Sequence, residues 1–180
     1  MTAVEATEHP PRPDVLVAGI GNIFLGDDGF GVEVANRLKA RPPRSGVRVV
    51  EFGIRSLHLA YELLDGYDTL VLIDAISIGE PPGTVAVVEP DRTATDEPTL
   101  DAHTMNPQAV LGMLDNLGGD VRKVLVVGCQ PAVITETMGL SAPVAGAVDH
   151  AVRMVDELLD DLGAETVLRA GTEIKKETGS

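Results

Sequence analysis

The hydrophobic pattern of the chain alternates between short aliphatic runs and amphipathic stretches. VLVAGI (15–20) is an apolar run closed by glycine, which predicts a buried parallel strand. After it, Phe30, Val32, Val34, Ala35 and Leu38 recur at helical spacing until Pro42 and Pro43 stop the pattern. VRVVEF (47–52) predicts a second strand, and SLHLAYELL (56–64) a helix with Leu57, Ala60, Leu63 and Leu64 inward. TLVLIDAI (69–76) predicts a third strand, almost wholly apolar until Asp74, and TVAVVEP (84–90) a fourth. The acidic stretch DRTATDEPTLDA (91–102) has no period and predicts a loop, followed by a helix from about Pro107 to Leu117 with Asn106 as its cap. VRKVLVVGC (121–129) predicts the fifth strand and QPAVITETMGLS (130–141) a loop. A last helix, about 143 to 162, carries Val144, Val148, Val152, Val155 and Leu159 on one stripe.

Strands alternating with helices predict an open, mostly parallel, doubly wound α/β sheet of about five strands with helices on both faces. A single domain over 15–162 is expected, with 1–14 and 164–180 as flexible tails. Ligands of such sheets bind beyond the carboxyl ends of the strands, where the strand order reverses. If strands one and three are neighbours, the loop after the first strand and Asp74 at the end of the third share that crevice.

Composition narrows the partners. The chain has 180 residues, 44% hydrophobic but only 3% aromatic and without Trp, so its core is aliphatic. A formal net charge of −14 disfavours nucleic acid and anionic membrane. The single cysteine, Cys129, excludes an internal disulfide and suits a reducing compartment. No apolar run approaches the roughly 18 residues of a membrane span, and the first residues lack the apolar segment of a secretory signal. A cytoplasmic, monomeric domain is expected.

The chemistry concentrates in GIGNIFLGDDGFG (19–31). A dinucleotide fingerprint would need glycine at 24, where the chain has Phe24, and Asp27 and Asp28 would repel a pyrophosphate at the helix start. One aspartate could cap the following helix; capping needs only one. The working assignment makes Asp27 the structural partner and turns Asp28 to the crevice. Asp74 follows an apolar strand, so its burial would require a partner or a cation, although an exposed strand end is the simpler alternative. Of the four histidines, His9 and His150 are expected at the surface and His58 in packing. His103, in DAHTMNP, stands just before a helix where an imidazole could reach the crevice. Asp28, Asp74 and His103 together would form a set suited to a borderline divalent ion such as zinc or nickel. Cys129 has no activating base nearby in sequence and is expected to be an inert buried thiol.

These blocks resemble the maturation endopeptidases of nickel–iron hydrogenases. The resemblance is carried by GIGNIFLGDDGFGVEVANRL (19–38), LVLIDAI (70–76), the histidine of DAHTMNP (101–107), and VLVVGCQP with MGLS (124–131, 138–141). It implies a protease that removes a C-terminal extension from the hydrogenase large-subunit precursor once nickel is installed. It further implies that Asp28, Asp74 and His103 recognise nickel supplied by the substrate, with zinc or cadmium able to substitute. Some members carry Glu where this chain has Asp28. Many carry a DGGTxG-like stretch where this chain reads EFGIRS (51–56), a change in a segment thought to discriminate substrates. Two alternatives stay open at this point: a nickel-binding maturation chaperone without protease activity, and a nucleotide-binding α/β module.

Overall fold

The computed structural model describes residues 14–91 and 107–177, with side-chain surroundings for 14–91 and 108–163. Among these, five strands form one sheet in the order β2-β1-β3-β5-β4. The strands are β1 (Val15–Ile20), β2 (Val47–Gly53), β3 (Thr69–Ala75), β4 (Val85–Val88) and β5 (Lys123–Cys129). The helices are α1 (Phe30–Lys39), α2 (Ser56–Leu63), α3 (Pro107–Asn116) and α4 (Ala142–Glu177). All pairings are parallel except β4 with β5. The short, helix-free connection from β3 to β4 explains that exception, because a parallel return needs a long crossover.

Alternation along the buried strands sends side chains to two separate cores. Val71, Ile73 and Ala75 of β3 join Phe30, Val34 and the α4 stripe on one face. Leu70 and Leu72 join Leu59, Leu63, Val110 and Leu114 of α2 and α3 on the other. Salt bridges fasten α4 further: Arg37 to Asp149, Arg41 to Asp156, and Arg44 to Asp160.

Two expectations change. In α2 the inward residues are Leu59, Ala60 and Leu63, while Leu57 and Leu64 are exposed. Helical spacing permits either face, and packing on Phe52 and Leu70 selects the first. Helix α4 continues to Glu177, past the expected end near 162. The apolar stripe ends there, but Ala164, Glu165, Leu168, Arg169 and Ala170 are good helix formers and sustain the backbone pattern.

Candidate functional site

The crevice forms because β1 and β3 are adjacent, so their carboxyl ends open side by side. Gly21 leaves β1 at φ +128° and donates its amide to the carbonyl of Gly53 at the end of β2. A Cβ on Gly21 would strike the carbonyl of Asp28 and stand 3.7 Å from Oδ1 of Asp74. The glycine thus lets three strand ends and a carboxylate converge. Gly31 plays the corresponding role for α1, since a Cβ there would overlap the carbonyl oxygens of Ile73 and Ile20. Its absence lets the helix settle onto β1 and β3.

Between these glycines, Gly26–Gly29 forms a short 3-10 turn that presents both aspartates. Their surroundings are opposite. Asp27 has no solvent exposure. It accepts four hydrogen bonds at 2.7–2.8 Å, from the amides of Ala132, Val133 and Ser141 and from the Ser141 hydroxyl. Burial opposes its ionisation, but these donors outweigh burial and hold the carboxyl below its ordinary range. Asp27 therefore clamps the loop after β5 onto the loop after β1.

Asp28 accepts one such bond, from the Asn22 amide at 2.8 Å. Burial raises its pKa, against the lowering effect of that bond. Asp74 is 4% exposed. Burial foremost, then the negative charge of Asp28, push its pKa well above the ordinary value, against a hydrogen bond from the Ala75 amide. A buried carboxylate whose proton affinity is raised further by a neighbouring one forms a place where a cation can replace a proton. By strand alternation Asp74 belongs to the face covered by α2 and α3.

The third expected ligand, His103, lies outside the described residues, four positions before α3 begins at Pro107. Among the described residues no three His, Cys, Asp or Glu side chains gather as a metal set. His58 is exposed rather than packed. It lines a cleft of about 350 Å³ beside β2 and α2 with Phe52, Arg55 and Tyr61, which contains neither Asp28 nor Asp74. The carboxylate crevice is the stronger candidate for chemistry because it sets a buried carboxyl, Asp74, beside a half-buried one, Asp28. Burial, and to a lesser degree Asp27, push the Cys129 thiol up to about 11, so it is no nucleophile at neutral pH. No described helix is long and apolar enough to cross a membrane.

Sequence reading missed Ser141 as the partner of Asp27. The pair is 114 positions apart, beyond any periodic signal, and only the MGLS block pointed toward it.

The structure is thus a doubly wound α/β domain with paired acidic side chains at the switch in strand order. The profile of the hydrogenase maturation protease family matches residues 32–158. The chain belongs to that family, whose members hydrolyse peptide bonds. It is 34% identical over 164 residues to the hydrogenase expression/formation protein HupD of Rhizobium leguminosarum bv. viciae, covering 89% of this chain and 81% of HupD. It is 30% identical over 163 residues to HoxM of Azotobacter vinelandii, covering 88% and 78% respectively. Among solved structures, the hydrogenase maturating endopeptidase HybD of E. coli superposes with a TM-score of 0.68 at 26% identity, covering 85% of this chain and 94% of HybD.

Proposed function

We propose that the protein removes the C-terminal extension of a nickel–iron hydrogenase large-subunit precursor after nickel insertion, with Asp28, Asp74 and His103 recognising the bound nickel. The observation that carries this reading is the buried Asp74 facing the charge of Asp28 where β1 and β3 end. In an aliphatic chain such a pair is costly unless a cation relieves it.

The nickel is cargo of the substrate, and the two carboxylates are oxygen donors for its open positions. Binding there ties the adjoining peptide to the enzyme, so cleavage becomes effectively intramolecular. A precursor without nickel lacks this anchor and is passed over. Hydrolysis adds water to the carbonyl carbon and breaks the C–N bond; a carboxylate of the pair takes the water's proton, which ends on the departing amine. Zinc or cadmium can stand in for nickel at the same oxygens. The same reading places a monomeric enzyme in the cytoplasm, where a lone thiol stays reduced.

Mass spectrometry of a nickel-loaded precursor before and after incubation tests the reading. Loss of a C-terminal peptide, absent from the nickel-free precursor, is expected. An unchanged mass with nickel bound to this protein would replace it with a non-proteolytic chaperone.

A further inference from the structure

The two loops that Asp27 joins carry an unusual surface. Ile23 is 42% exposed and Phe24 61% on the first loop; Val133 is 42%, Ile134 50% and Met138 69% exposed on the second. Residues 132–139 are all exposed, and Glu136 is the only charged residue among them. Residues 19–26 hold no charge at all. In a chain that is 23% charged, with a net charge of −14, this apolar surface with a single charge stands out.

Its backbone is fixed. Gly26 donates to the Thr137 carbonyl at 2.8 Å, Asp27 to Val133 at 2.9 Å, and Thr137 to Phe24 at 3.1 Å. Leu25 and Thr137 form a parallel bridge. The exposed side chains therefore stand on a rigid platform and lose little backbone freedom when covered. The platform is also continuous with the crevice. The Phe24 amide donates to Asn22 Oδ1 at 2.9 Å, and the Asn22 amide donates to Asp28 at 2.8 Å. The exposed side chains of the first loop thus lie next to the segment that presents Asp28.

We propose that Ile23, Phe24, Val133, Ile134 and Met138 form a docking ledge for an apolar surface on the folded body of the nickel-loaded large-subunit precursor, next to its cleavage point. The inference rests on the proposed function and adds where the precursor's body is held. The cation at the carboxylates fixes one point of the substrate, and the ledge fixes its orientation. Absence of charge on the ledge also lets an acidic enzyme approach a folded protein without local repulsion.

Single-turnover and steady-state cleavage of nickel-loaded precursor by wild type, Phe24→Ser and Met138→Ser tests this. Both side chains are exposed, so the thermal midpoints should match wild type. Each variant is expected to raise KM about tenfold, the effect of losing one anchoring contact, with kcat kept within about twofold. Leu117→Ser, at an exposed apolar position just past the end of α3, should leave both unchanged. A wild-type KM in both ledge variants overturns the ledge, as does a fall in kcat with KM unchanged. Failure of the wild-type protein to cleave the precursor overturns the underlying functional reading instead.

Discussion

Asp27 and Ser141 are joined twice: the Ser141 amide donates to Oδ1 at 2.7 Å and its hydroxyl to Oδ2 at 2.8 Å. Ser141 immediately precedes α4, so this carboxylate ties the start of the longest helix to the loop that presents Asp28. Asp27→Ala would leave four part-buried donors without their acceptor, a penalty of about 1–3 kcal/mol for a donor fully shielded from water and less for those on exposed Ala132 and Val133. The expected loss is about 3 kcal/mol in urea unfolding, with Asp27→Asn losing less. Because the folded pKa is depressed, this stabilisation is full above the ordinary carboxylate value and disappears as pH falls through the lowered one. The acid limb of a stability–pH profile should flatten in Asp27→Asn.

Asp74 should behave in the opposite sense. Its folded pKa is raised, so the folded state holds a proton that the unfolded state has released, and stability grows as pH falls toward the ordinary carboxylate value. Asp74→Asn should remove this dependence and raise the denaturation midpoint at neutral pH. The same variant should lose about 100-fold or more in precursor cleavage. Higher stability with lower activity would separate a functional carboxylate from a structural one.

Gly31→Ala should separate packing from charge. The added methyl meets the carbonyls of Ile73 and Ile20, which are strand backbone with little room to yield. About 3 kcal/mol of destabilisation is expected from the overpacking, read by chemical denaturation. Gly163→Ala, with open space around it, should stabilise slightly.

His103→Ala should abolish cleavage of the nickel-loaded precursor while leaving the unfolding free energy within about 0.5 kcal/mol of wild type. Mass spectrometry and a denaturant titration together check both halves of this expectation. Full activity of the variant would remove His103 from the site.

The buried strands were the most legible elements. VLVAGI spans the same residues as β1 and TLVLIDAI runs one residue past β3, because continuous aliphatic runs ended by glycine or aspartate leave few alternatives. The α1 stripe was equally clear, and Phe30, Val34 and Ala35 have no exposure. Leu57 and Leu64 were misplaced because an eight-residue helix offers two apolar faces, and only the neighbouring sheet selects one. The adjacency of β1 and β3 was expected only conditionally, since the sequence carries no direct signal of strand order. The contact of Asp27 with residues 132–141 was hidden for a different reason: it joins two irregular loops through backbone donors whose side chains are not constrained to be polar.

The division of β3 between its two cores has a consequence for the site. Ile73 and Ala75 pack on their side in one cluster with Phe30, Cys129 and Val144. Asp74 belongs to the opposite side, and strand alternation admits no compromise between them. The Asp74 carboxylate is therefore offered at the strand ends on one side of the sheet. A carboxylate moved by one position, to 73 or 75, would turn into the aliphatic layer instead.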